Sequence, residues 1–178
     1  MKKQVTTQMQ KWSLWFYLAW SAGIVFVGGL TYIIVLMPPR AEHKQLGQAF
    51  QALDQKHIGV GEDHPAYNSN PPTSGYHYSL PAPWGVTTTE LPDEQVVHNL
   101  EHGGIWITYQ NIDDQTKKAL ENLTRSQTKM IMTPRTKDDS LIVVASWGRV
   151  QKFQSYDERA ILAFIDANRN KSPEPLAQ

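Results

Sequence analysis

The chain has 178 residues, no cysteine and a formal net charge of zero. Without cysteine it cannot build disulfides, iron–sulfur clusters, thiolate zinc sites or a cysteine nucleophile. Lys2, Lys3, Lys11 and Arg40 are the only charged residues of the first forty, so the remainder holds 13 basic and 17 acidic residues; a mildly acidic body with no basic stripe argues against a nucleic-acid partner.

Trp12 to Met37 is a run of 26 residues without a charge, with Trp12, Trp15, Tyr17 and Trp20 at one end and Tyr32 near the other. About 20 apolar residues suffice to cross a bilayer, and aromatic side chains favour its interfaces. A cleaved signal peptide would have a shorter apolar core ending in a small-x-small site, whereas this run leaves through Leu36-Met37-Pro38-Pro39-Arg40. The pattern predicts an uncleaved signal anchor: residues 1–11 cytoplasmic, 12–37 a transmembrane helix in the cytoplasmic (inner) membrane, and the rest extracytoplasmic, in the periplasm.

Residues 38–56 read as a linker helix with Leu46, Phe50 and Leu53 on one face. From His57 to Pro92 periodicity gives way to turn signals, among them Asn70-Pro71-Pro72-Thr73-Ser74-Gly75 and Pro81-Ala82-Pro83-Trp84-Gly85. Long segments of this kind are functional or disordered. The aromatic and imidazole rings of His64, Tyr67, Tyr76, His77, Tyr78 and Trp84 predict an ordered loop pinned to a core. A helix is expected over Asp93–His102, started after Pro92 and stopped by Gly103, with Asp93 and Glu94 complementing its positive end. Ile105–Tyr109 reads as a strand and Asp113–Ser126 as a helix. Lys129–Thr133 and Leu141–Trp147 read as two further strands. Ser155-x-x-Glu158 reads as the capping box of a last helix carrying Ala160, Ile161, Phe164 and Ile165. The expectation is an α+β domain over residues 57–170, with a short sheet, about three helices and one long Pro/Gly-rich loop, followed by a polar tail at 171–178.

All six histidines, His43, His57, His64, His77, His98 and His102, fall between positions 43 and 102. In His98-Asn99-Leu100-Glu101-His102 the two imidazoles are spaced i, i+4, which sets them on one helix face. That spacing gives half of a metal site. The same residues spell His-x-x-Glu-His, an inverted zinc-peptidase signature in which Glu101 would be the general base. His98 and His102 sit in the last helical turn, where the helix dipole favours a cation, and Asn99 and Glu101 are placed to orient ligands or join them. His57, His64 and His77 in the loop are candidates for the remaining donors. Imidazole nitrogens suit zinc or copper over the hard cations. Met130 and Met132 share a strand face; thioethers suit Cu(I), but alternate methionines on a strand usually belong to the core.

The segments Tyr67-Asn68-Ser69-Asn70-Pro71-Pro72-Thr73-Ser74-Gly75-Tyr76-His77-Tyr78 and Val97-His98-Asn99-Leu100-Glu101-His102-Gly103-Gly104 resemble the bacterial domain-of-unknown-function family 3105. Ala145-Ser146-Trp147-Gly148-Arg149 is similar to that family's closing motif, and the resemblance covers about residues 43–168. It implies a single-span protein with an extracytoplasmic domain, and no particular activity. It places His77, His98 and His102 inside the family elements and makes His57 the upstream histidine. The ligand set implied is therefore His57, His77, His98 and His102, with His64 as a substitute. The function expected is copper or zinc binding in the service of a membrane enzyme or its assembly. The alternatives are a metal-free accessory subunit docking on a membrane complex and a zinc hydrolase using Glu101.

Overall fold

The structure, a computed structural model, describes residues 16–26, 29, 32 and 44–176. The chain divides into two compact units, residues 1–42 and 43–178. In the first, residues 16–26, 29 and 32 are helical. The rest of the expected 12–37 anchor, and His43, lie outside the described residues. Among the described residues no helix is long and apolar enough to cross a membrane.

The second unit is α+β. Its elements in chain order are β1 (Gln48–Ala49), β2 (His57–Ile58), β3 (His77–Tyr78), β4 (Gly85–Val86), α1 (Asp93–Glu101), β5 (Ile105–Tyr109), α2 (Asp114–Arg125), β6 (Met130–Pro134), β7 (Ile142–Ser146), β8 (Arg149–Phe153) and α3 (Glu158–Asn168). Six strands form a mixed sheet in the order β1-β8-β7-β5-β6-β4, and β2 and β3 form a separate parallel pair. β4, β5 and β6 run parallel, with α2 connecting β5 to β6, while β7 and β8 form an antiparallel hairpin.

β5 and β7 are buried along their whole length, as expected of strands covered on both faces. Alternate residues serve opposite cores. Ile105, Ile107, Met130, Met132, Ile142 and Val144 pack under α2 and α3 against Leu120, Leu123, Ile161 and Phe164. Trp106, Ile131, Val143 and Ala145 pack with Val96, Val97 and Leu100 of α1. The methionine pair thus belongs to the core on the face opposite α1.

The linker helix expected over 38–56 does not form in its described part: residues 44–56 contain no helix. β1 instead adds an edge to the sheet, pairing Gln48 with Val150 and Ala49 with Arg149. Gly47 explains the difference. It sits at φ +84, and a Cβ there would lie 2.7 Å from the Val150 carbonyl oxygen and 2.8 Å from the Phe164 ring. That approach and that φ are open to glycine alone, and neither is helical. Two smaller corrections follow from local hydrogen bonds. The last helix is capped by Asp157, whose side chain accepts from the Ala160 N–H at 3.0 Å, in place of a Ser155–Glu158 box. β8 is an unexpected strand, folded back on β7 through Trp147-Gly148 with Gly148 at φ +67.

One buried cation ties the second core layer together. Arg135, just past β6, donates from Nε and Nη2 to the two carboxylate oxygens of Asp93 at 2.8 and 2.9 Å. Its Nη1 donates to Asn70 Oδ1 at 2.6 Å and to Asp138 Oδ1 at 2.5 Å. Asp93 opens α1 and Asn70 lies in the long loop, so one guanidinium holds both against the sheet. Removing one partner of a buried ion pair costs about 3–5 kcal/mol, because the other charge stays buried without compensation. Arg135→Met is therefore expected to lose stability of that order in urea denaturation. A loss below about 1 kcal/mol, the range of an exposed ion pair, would contradict this role.

Candidate metal centre

The centre is assembled by α1 and the two-strand pair beside it. β2 and β3 run parallel with His57 opposite His77. His77 is held in register by its N–H donating to the Lys56 carbonyl at 3.0 Å. Leu53 N–H donates to Ser74 Oγ at 2.9 Å, and Tyr67 donates to the Tyr76 carbonyl at 2.6 Å. The loop is fastened to α1 by Asn99, fully buried, which accepts from Ala82 N–H at 2.8 Å and donates to its carbonyl at 2.9 Å. The sequence suggests that Asn99 orients or joins metal ligands; the structure instead spends both its amide atoms on the Ala82 backbone.

His98, Glu101 and His102 lie on one face of α1 at i, i+3 and i+4, and this face turns toward the β2–β3 pair. His57 stacks on His98 with centroids 5.2 Å apart and planes at 4°. His77 stands edge-on to both, at 4.9 and 5.1 Å. His57, His77, His98 and Glu101 each offer one ligand atom, all within 4.8 Å of one another, so the four could hold a metal ion. A tetrahedral zinc with bonds of about 2.0 Å sets its ligand atoms about 3.3 Å apart. Modest side-chain contraction would therefore close this set on an ion. His102 adjoins it, its Nε2 3.1 Å from His98 Nε2. It belongs to a second group with Glu101 and Glu174, again within 4.8 Å. His64 joins neither group. Its Nε2 lies 3.1 Å from Glu94 Oε1 and its Nδ1 2.8 Å from the Pro65 carbonyl.

The backbone fixes which ring nitrogens carry lone pairs. His77 Nδ1 lies 2.7 Å from the Gly75 carbonyl and His98 Nδ1 lies 2.7 Å from the Tyr78 carbonyl. A carbonyl can only accept, so both Nδ1 atoms carry the proton and each neutral ring keeps its Nε2 lone pair. This is the outer-shell arrangement that orients metal-bound histidines. His77 is wholly buried and its Nε2 lies 3.0 Å from Glu101 Oε2, yet among the described residues that nitrogen has no aligned hydrogen-bond partner. The two groups are close without a directed bond between them. A lone pair facing a carboxylate at that distance is repulsive unless a proton or a cation lies between them. Burial holds the His98 pKa below its ordinary value, helped by the imidazoles of His102, His77 and His57 and opposed by the Tyr78 carbonyl. His98 is thereby kept in the neutral form that a metal requires.

Glu174 carries no signal in the sequence, where it falls in a polar tail. Glu101 was legible as a helix-face neighbour of His98, but its closeness to His57 and His77 depends on how the loop folds.

The His64–Glu94 pair gives a pH dependence separate from the centre. Burial disfavours the His64 imidazolium, but the Pro65 carbonyl and Glu94 outweigh it, and the pKa is raised above 6.5. Between 6.5 and the raised value the folded state binds more protons than the unfolded one. The stabilisation is therefore complete below 6.5 and lost as pH rises through the raised value. The melting-temperature gap between the wild type and His64→Gln is expected to be widest below pH 6.5 and to shrink as pH rises. A gap constant with pH would contradict this account of the pair.

No curated protein and no solved structure matches the chain. A family model described as protein of unknown function (DUF3105) matches residues 61–178. His77, His98, Glu101, His102 and Glu174 lie inside the matched region, and His57 lies just before it. With more than half its length matched, and with both histidine elements inside the match, the chain belongs to the DUF3105 family.

Proposed function

We propose that this protein is a membrane-anchored, extracytoplasmic transition-metal protein that holds copper or zinc and serves a membrane enzyme or its assembly. The observation that carries the reading is the convergence of His57, His77, His98 and Glu101, with the Nδ1 atoms of His77 and His98 committed to backbone carbonyls. Three imidazoles and a carboxylate form a donor set for Zn²⁺ or Cu²⁺. The thioethers that would favour Cu(I) are buried on the other face of the sheet. Three of the four donors are buried and His57 is exposed, an arrangement suited to taking up or passing on an ion from one side. The anchor is supported by the uncharged run from Trp12 to Met37, and the extracytoplasmic placement by the lysines that precede it.

Holding an ion is favoured over hydrolysis. A peptidase general base must stand outside the ligand set, next to the water it activates. Glu101 instead reaches His77 at 3.0 Å and belongs to the donor group itself.

The test uses the full-length chain in detergent, without a histidine tag, equilibrated with zinc or copper and then dialysed. A tightly held ion is expected by elemental analysis, lost in the His77→Ala, His98→Ala double variant. At 100 times the dissociation constant, the ion should stabilise the fold by about 2.7 kcal/mol and raise the melting temperature by several degrees. Retention of the ion by the double variant would contradict the reading. An unaltered melting temperature with no ion bound would favour a metal-free docking role.

A further inference from the structure

We infer that the centre takes two cations, the second held by Glu101, His102 and Glu174, with Glu101 shared between them. The inference rests on the metal-binding reading above and extends it to a site formed by the C-terminal segment. Glu101 belongs to both donor groups. A carboxylate has two oxygens, and in two-metal sites such groups span ions about 3.5–4 Å apart. Its Oε2 already faces the first group, 3.0 Å from His77 Nε2.

The second group is placed by specific bonds. Glu174 N–H donates to the carbonyl of Glu101 at 3.1 Å, and Asn170 N–H donates to the carbonyl of Gly103 at 2.9 Å. Lys129 Nζ donates to the carbonyls of His102 at 2.9 Å and Pro175 at 2.7 Å. The segment around Glu174 is thus fastened on both sides across the end of α1, with its carboxylate oxygen 3.6 Å from His102 Nε2.

His102 itself points to a ligand. His98 Nδ1 is committed to the Tyr78 carbonyl, so His98 Nε2 can only accept and His102 must donate across their 3.1 Å contact. That leaves His102 Nδ1 as an acceptor, and it is buried with no partner among the described residues. Buried polar atoms are seldom left unpaired. Once an ion takes the His98 Nε2 lone pair, His102 Nε2 has no acceptor there, and the ring can carry its proton on Nδ1 and offer Nε2, 3.6 Å from Glu174 Oε2, to a second cation. The set of one imidazole and two carboxylates, near the negative end of α1, suits a divalent cation such as Zn²⁺ that completes its shell with water. The Glu174 side chain is 57 % exposed, which gives this second ion its own route to solvent, as His57 does for the first.

Zn²⁺ titration of the full-length chain in detergent, followed by calorimetry and elemental analysis, tests the inference alongside Glu174→Gln. Two ions are expected in the wild type. In Glu174→Gln the second should weaken at least tenfold, with the first unchanged and the melting temperature of the metal-free protein preserved. A wild type that saturates with one ion would overturn the second site and leave the first standing. Two ions of unchanged affinity in Glu174→Gln would place the second ion elsewhere and equally overturn it. No ion in either protein would overturn both readings.

Discussion

A guanidinium almost entirely out of water must find acceptors for its donors, and Arg135 finds them on three segments at once: Asp93 at the start of α1, Asn70 in the long loop and Asp138 in the turn after β6. The two donors that line the candidate centre from α1, His98 and Glu101, and the one from β3, His77, all depend on segments that this cation fastens to the sheet. Trp106 of β5 lies beneath it, with the guanidinium 5.8 Å from its ring, and spends its own indole N–H on Thr133. Burying such a charge is costly unless every partner is in place, so the arrangement specifies one position for α1 and one path for the loop. Asn99 repeats the device with a neutral group, pairing both its amide atoms with Ala82.

From that fixed frame the chemistry follows. The loop delivers His77 and the carbonyls of Gly75 and Tyr78, which are the groups that hold the His77 and His98 rings with Nε2 turned inward. The buried face of α1 supplies His98, Glu101 and His102 in one turn, and the parallel pairing of β2 with β3 brings in His57. The result is a cluster of lone pairs and carboxylate oxygens with too few protons among them. Proteins neutralise such clusters with a cation or with shifted protonation. Burial and its imidazole neighbours keep His98 neutral, which leaves its Nε2 lone pair free for a cation.

Much of this was written locally. The i, i+4 spacing of His98 and His102 does place both rings on one face, and the glycine after His102 does end α1, with Gly103 at φ +82. Ile105–Tyr109 and Leu141–Trp147 read as strands and form β5 and β7, and the helix read over Asp113–Ser126 forms α2. What escaped were facts that depend on distant partners. Leu46, Phe50 and Leu53 keep a helical spacing, but Gly47 must meet Val150 and Phe164, and that contact outweighs the local pattern. Asp93 read as a complement to the helix dipole, and its engagement by Arg135 needs the sheet to exist first. Glu174 sits in a stretch with no periodicity, so only the backbone bonds to Glu101 and the grip of Lys129 on Pro175 bring it to the centre.

The central claim is that imidazoles of His57, His77 and His98 and the carboxylate of Glu101 converge on one ion. X-ray absorption spectroscopy of the full-length chain loaded with a single equivalent of Zn²⁺ tests it most directly. The account predicts a four-coordinate first shell at about 2.0 Å with the outer-shell scattering of three imidazoles, reduced by one imidazole in His57→Ala. A shell of oxygen scatterers alone, or a spectrum indifferent to the loss of His57, would contradict it.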